Sequence, residues 1–465
     1  MRRFLLVAAL AVPLSPASNA ATTQPTRVNA LQPPPVIVRS RSDAVAPGYL
    51  FVAPKSFGAS ALGILDGRGR FVWVDAIPNG EQATDFRVQS YRGQPVLTWW
   101  QGKGFGGLTS GADYIMDSSY RVIATLHPDS GLDLDGHEFR LTPEGTALTL
   151  SYHVVPYDLS SVGGPRDAQV TEGVIEELAV PSGHVLWQWH SLDHVPVVDS
   201  YFPVESPYDY FHVNSISYDT DGNLLLSARG TSTVYKIDRR NGVVIWRLGG
   251  KRSDFVFGPG ARFTGQHDAI AAAPDVIRLF DNGTDGATQT EPQSRVIWIN
   301  LDEARRIATL ARQLTHPKVV LSQSQGNAET LANGDTLVGW GSAGEVSEFD
   351  PQGKLLFDAQ LVGRDTYRAY RLEWSGKPDV PPLATARRSR RRALVVHAIW
   401  NGATGVAHWK ILTGGTAAKL VAVRTVPWNG FDTTAKLTSR ARYAKVVALD
   451  SSGTAIGESP IVLVR

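Results

Sequence analysis

The chain has no cysteine and only two methionines in 465 residues. Absence of cysteine excludes disulfides, zinc–thiolate sites, iron–sulfur clusters, thiol nucleophiles and a lipid-modified cysteine tether. Stability must then come from packing alone, which 43% hydrophobic content and 12 tryptophans make feasible. An excess of charge of one sign is also lacking, with 46 Lys+Arg against 44 Asp+Glu. Near-neutrality argues against nucleic acid as the main partner, because phosphate binding needs a basic surface. No apolar run is long enough to span a bilayer, so no membrane span is expected. Nor is there a phosphate-cradling glycine loop, a Gly-x-Ser-x-Gly elbow or a His-Glu-x-x-His helix. No cofactor is expected.

What is present begins with a leader. Arg2 and Arg3 precede the apolar stretch Phe4–Leu14, and small residues follow at Ser18-Asn19-Ala20. This is the pattern of a secretory signal peptide over residues 1–20, cut before Ala21. The expected location is therefore secreted, periplasmic or at the cell surface. Residues 21–47 read as an extended arm with one strand near Val36–Arg39.

The most informative stretch is Tyr210–Gly250. Alternating apolar and polar residues are broken at Asp221-Gly222 and Asn241-Gly242, which signals four short antiparallel strands joined by tight turns. Similar units start near Tyr49, Phe86, His137, His267 and Asn327. Forty-odd residues carrying four antiparallel strands is the size of a propeller blade. The expectation is an all-β chain with a six-bladed β-propeller over residues 48–376. A seven- or eight-bladed ring, or another all-β stack, is the competing reading. Tyr367–Trp374 is expected to close the ring onto the first blade. Residues 377–392 read as a Pro/Arg-rich linker, with five arginines between Arg387 and Arg392. Residues 393–465 read as a small immunoglobulin- or fibronectin-like β-sandwich.

His137, His212 and His267 each open the first strand of a unit. In a propeller those starts lie at one mouth of the central channel, so three consecutive blades would aim a histidine at one axial pocket. Antiparallel pairing also sets His212 beside Arg229. Three imidazoles alone suit a metal ion with an open position. A permanent cation beside them opposes a metal and favours anion chemistry, in which a neutral imidazole attacks and Arg229 neutralises charge on the transferring oxygens. Three readings stand at this point: group transfer at the pocket, a metal-dependent enzyme, or a non-catalytic cell-surface binding propeller. His190 and His194 are candidates to line an entrance. Asn282-Gly283-Thr284 reads either as a glycosylation sequon or as a turn.

The residues Asp135-Gly136-His137, His212-Val213-Asn214-Ser215-Ile216, Leu226-Ser227-Ala228-Arg229, Trp246-Arg247-Leu248-Gly249-Gly250 and Gln266-His267-Asp268-Ala269 resemble the arylsulfotransferase family. Its members are exported enzymes that use no nucleotide sulfate donor. The resemblance covers roughly Tyr49–Trp374 and is closest to a shorter branch with a C-terminal sandwich. It implies a six-bladed propeller that moves a sulfuryl group from a phenolic sulfate ester to a phenolic acceptor through a sulfated histidine. It also implies that His267 is the nucleophile. His137, His212 and Arg229 would hold the sulfate and phenolic oxygens, Asn214 would support them, and His212 would handle the phenolic proton. The chain departs from the better-known branch in lacking its cysteine pair and its separate N-terminal sandwich.

Overall fold

The computed structural model describes residues 34–56, 59–105, 108–389 and 393–465. The expected signal peptide and residues Arg390–Arg392 lie outside them. Almost all regular structure is strand, with helix confined to short turns such as Ser160–Val162. Among the described residues no helix is long and apolar enough to cross a membrane.

Among the described residues, six four-stranded antiparallel units follow one another. The stretch around Tyr210–Gly250 folds as Val213–Tyr218, Leu224–Ala228, Thr233–Ile237 and Val244–Gly249, paired in that order. Its first turn works because Gly222 takes φ +83°, a region a Cβ would strain. The run Leu224-Leu225-Leu226 is explained by burial on both faces. Leu224 and Leu226 pack with Leu148 and Leu150 of the preceding unit. Leu225 packs with Ile277 and Leu279 of the following one. Each such side chain contributes about 1.5–3 kcal/mol by leaving water.

The first strands of the six units are Ala369–Leu372, Gln82–Tyr91, Leu134–Leu141, Val213–Tyr218, His267–Ala273 and Asn327–Thr330. Each touches the next in this order, and the last touches the first, so they form a closed cycle. Closure is made by a late strand joining an early sheet, since Ala369–Leu372 pairs antiparallel with Tyr49–Val52.

The strand expected in the N-terminal arm is found at Val36–Arg41, where it pairs with Leu355–Leu361 as a fifth, outer strand of the sixth unit. The expectation that 377–392 is a linker is corrected, because Leu383–Arg388 is a strand paired with Leu394–Ile399. Its buried Ala384 and Ala386 alternate with outward residues, and the arginines had masked that alternation. The C-terminal strands form two sheets around a core that includes Trp409, Val396 and Val446. Loops of this part cap the edge strand Phe71–Ile77 of the first unit. Asn401 Nδ2 donates to the Val74 carbonyl at 2.8 Å, and the Phe431 N–H donates to the Phe71 carbonyl at 2.9 Å. An otherwise open sheet edge is thereby covered.

Candidate active site

His137, His212, Arg229 and His267 line a single cavity of about 600 Å³. His267 is the first residue of its strand and His212 immediately precedes one. His137 sits in a bulge, where the pairing skips from Leu134 to Phe139. Space for that bulge comes from Gly136. A Cβ there would lie 2.8 Å from Thr84 Oγ1 and 2.9 Å from the Trp100 ring. The paired strand ends bring Arg229 to His212, whose carbonyl accepts the Arg229 N–H at 2.9 Å.

Each histidine is held through Nδ1. Asp135 Oδ1 holds His137 Nδ1, and Asp135 is itself fixed by the Thr109 hydroxyl and N–H. Asp209 Oδ2 lies 2.5 Å from His212 Nδ1. His267 Nδ1 lies 2.7 Å from Asn282 Oδ1. The Asn282 amide orientation follows from its other contacts: Nδ2 donates to the carbonyls of Ser322 and Gln325, each at 3.0 Å. Its oxygen therefore faces His267, so Nδ1 must carry the proton and Nε2 the lone pair. That lone pair accepts the Gln325 N–H at 3.1 Å. Burial, followed by the nearby Arg229 charge, holds His267 well below the ordinary histidine pKa, although the Asn282 hydrogen bond opposes the shift. His267 is thus neutral over the physiological range. Acid loss of the nucleophile moves below the value near 6.5 expected for an unperturbed histidine.

Arg229 has no carboxylate within ion-pair distance among the described residues. Its Nη2 donates to the Gln323 carbonyl at 2.8 Å, and its buried Nε has no partner. The guanidinium lies 5.6 Å from the Phe202 ring centre. A half-buried cation with unused donors, beside a neutral imidazole, is a receptor for a tetrahedral oxyanion.

Asn214 differs from expectation. It is fully buried and does not line the cavity. Its Nδ2 donates to the Gln266 carbonyl at 2.8 Å, so it fixes the backbone just before His267 instead of meeting a ligand. His190 and His194 also lie away from the cavity. His190 contacts Glu172, and His194 stacks on Trp189 at 4.9 Å. The Asn282 side chain is buried in the site, which is incompatible with its reading as a sugar acceptor in the folded protein.

Several cavity residues were not foreseen. Tyr367 packs against His137 and His267, with ring centres 5.4 and 6.3 Å apart, and donates its hydroxyl to the Asn214 carbonyl at 2.8 Å. Lys55 lies on the wall, paired with Asp365 at 2.6 Å and bonded to Gln325 Oε1 at 3.0 Å. Glu138 and Asp268, each following a site histidine, join a buried ion network with Arg368. Burial pushes the Glu138 carboxyl up, but Arg368, Arg140 and Arg87 outweigh it and hold it at about 2.

The axial histidines are not gathered as a metal triad. Among the described residues, the one group of three His or carboxylate side chains with mutually close ligand atoms lies elsewhere, at His316, Glu345 and Asp358. Together with Arg229, this weakens the metal-dependent reading of the axial pocket.

Residues 87–361 match the family model described as Arylsulfotransferase (ASST). The chain belongs to this family. All three axial histidines and Arg229 fall inside the matched arylsulfotransferase region, whereas Tyr367 and Lys55 fall outside it. No curated protein sequence matches the chain. Solved structures with some similarity include a protein of unknown function from Bacteroides caccae. It is 14% identical with TM-score 0.44, over 70% of this chain and 98% of that one. A Lactobacillus plantarum protein is 11% identical with TM-score 0.38, over 84% and 100%. A streptogramin B lyase is 8% identical with TM-score 0.35, over 78% and 94%. These likenesses are weak and bear on neither substrate nor residue roles.

Proposed function

We propose that this arylsulfotransferase-family chain is an exported enzyme that moves a sulfuryl group from a phenolic sulfate ester to a phenol through a sulfated His267. The reading includes a six-bladed β-propeller followed by an immunoglobulin- or fibronectin-like sandwich. The closed cycle of six first strands and the two C-terminal sheets support that architecture. The observation that carries the chemistry is the pairing of a neutral His267, its tautomer locked by Asn282, with the unpaired Arg229 in one cavity.

In the first half-reaction the His267 Nε2 lone pair forms the N–S bond as the S–O(aryl) bond breaks. The resting hydrogen bond from the Gln325 N–H must first be released, at a cost of about 1 kcal/mol. Arg229 neutralises charge on the sulfuryl oxygens, and a phenolate leaves. Charge stabilisation and alignment do most of the work in such loose in-line transfers. The sulfated ring is cationic, and its Nδ1–H donates to Asn282. In the second half-reaction an acceptor phenol gives its proton to His212 Nε2 and attacks sulfur, and His267 leaves neutral. Asp209 holds His212 through Nδ1 for this role. Release of nitrophenol from 4-nitrophenyl sulfate, dependent on added phenol and abolished in His267→Asn, tests the reading. Equal turnover in the variant would refute it.

A further inference from the structure

His316 lies at the start of the loop before the sixth unit, between the strands Ile307–Thr315 and Asn327–Thr330, and does not line the axial cavity. It is almost fully buried, and its Nε2 has no hydrogen-bond partner. Two carboxylates of the sixth unit meet it: Glu345, which opens the strand Glu345–Phe349, and Asp358, within the neighbouring strand Leu355–Leu361. One ligand atom from each of the three residues lies within 4.8 Å of the others. His316 Nε2 and Asp358 Oδ1 are 3.5 Å apart. That is long for a hydrogen bond. It matches the edge of a tetrahedron around a metal with ligands at about 2.1 Å, which is about 3.4 Å. Glu345 Oε2 is a second buried atom without a partner.

The surroundings suit ligand roles. His316 Nδ1 accepts the Lys318 N–H at 3.1 Å and lies 3.2 Å from the Lys318 carbonyl, so a metal at Nε2 requires the ring proton to sit on Nδ1 and face that carbonyl. A ligating imidazole usually donates its other N–H in this way. Ser347 donates to Asp358 Oδ1 at 3.1 Å and is itself fixed by Trp340 Nε1 at 3.0 Å.

We propose that His316, Glu345 and Asp358 form a divalent-metal site of the Zn²⁺ or Mn²⁺ class, separate from the axial pocket and weakened by the charge of Arg39 from the N-terminal arm. One imidazole and two carboxylates suit these ions, with the remaining position open to water. Arg39 is the competing cation. Its Nη1 lies 2.8 Å from Glu345 Oε1 and 3.6 Å from Asp358 Oδ2. Its Nη2 also donates to Gln360 Oε1 at 2.8 Å, an anchor that remains when the carboxylates turn to a metal. Arg39 therefore holds the oxygens of these two carboxylates opposite Glu345 Oε2 and Asp358 Oδ1, and its positive charge opposes a metal bound there.

The opposing roles of His316 and Arg39 give the test. Wild type, His316→Gln, Glu345→Gln and Arg39→Gln are titrated with ZnCl₂ by calorimetry, and metal retained after gel filtration is measured by elemental analysis. Zinc held in common by all four reports other sites, including the axial histidines, and is subtracted. The expected result is one equivalent lost in His316→Gln and in Glu345→Gln. In Arg39→Gln the same equivalent should bind about tenfold or more tightly, because a positive neighbour has gone. Equal zinc uptake by wild type and His316→Gln would overturn the proposal. So would unchanged affinity in Arg39→Gln, which would leave only an ion pair that pins the arm. Anomalous diffraction at the zinc edge guards against a misfolded variant, because it reads the wild-type site directly.

Discussion

Replacing Asn282 by leucine removes the tautomer lock on His267 at nearly constant volume. Three hydrogen bonds are lost: one to His267 Nδ1 at 2.7 Å and two to the Ser322 and Gln325 carbonyls at 3.0 Å. The buried groups left unpaired should cost about 2–4 kcal/mol of stability. The effect on rate has a separate origin. In the resting enzyme the Nδ1–H bond joins neutral partners and is worth about 1 kcal/mol, whereas in the transition state the ring gains positive charge and the bond is worth about 1.5–3 kcal/mol. Loss of the lock also lets the proton settle on Nε2, the attacking nitrogen. Together these predict a fall of about 10- to 100-fold in kcat/KM for 4-nitrophenyl sulfate, at 1.4 kcal/mol per factor of ten. Nitrophenolate release follows the rate, and urea unfolding shows that the variant is folded. Asn282→Asp separates charge from shape: a carboxylate beside Nδ1 raises the His267 pKa, so the acid limb of the rate profile moves to higher pH. A folded Asn282→Leu enzyme with wild-type kcat/KM would refute the lock.

Other outcomes follow from the same geometry. Arg229→Gln should lower kcat by about 10²–10³ with little change in stability, and Arg229→Lys should recover part of it, as steady-state kinetics will show. His267 makes stability depend on pH. The unfolded residue takes up a proton below about pH 6.5 while the buried one refuses it, so the stability present above that pH falls by up to about 1.4 kcal/mol per unit as pH drops. His267→Asn should flatten that part of the slope in urea titrations between about pH 5 and 7.5, and an unchanged slope would contradict the burial argument. Gly136→Ala drives a Cβ against Thr84 and Trp100 and should cost about 1–3 kcal/mol, with weaker substrate binding through displacement of His137, read as a higher KM.

The strands were legible because their period-2 patterning and Asp-Gly or Asn-Gly turns are local signals. The shared cavity of His137, His212 and His267 was legible because repetition, not proximity, lined them up, and Arg229 because local antiparallel pairing sets it beside His212. What was missed depended on longer-range geometry. Asn282 reaches His267 from the end of the partner strand, and as Asn-Gly-Thr it looks like a turn. Tyr367 and Lys55 come from the seam where the chain closes, which the repeat does not reach. Asp135 was within reach, since two residues before His137 is the same face of a strand. Asn214 was expected to support substrate binding, but a fully buried amide bonded to the Gln266 carbonyl looks the same in sequence as one facing a ligand. The strand Leu383–Arg388 was hidden by its arginines, which lie on the exposed side while alternate alanines enter the core.

The most direct test of the central claim is intact-protein mass spectrometry after brief incubation with 4-nitrophenyl sulfate and no acceptor, with His267→Asn alongside. The account predicts an acid-labile gain of one sulfuryl group on the wild type, mapped to His267, and none on the variant. The same adduct on both proteins, or nitrophenol release by the wild type with no adduct, would contradict it.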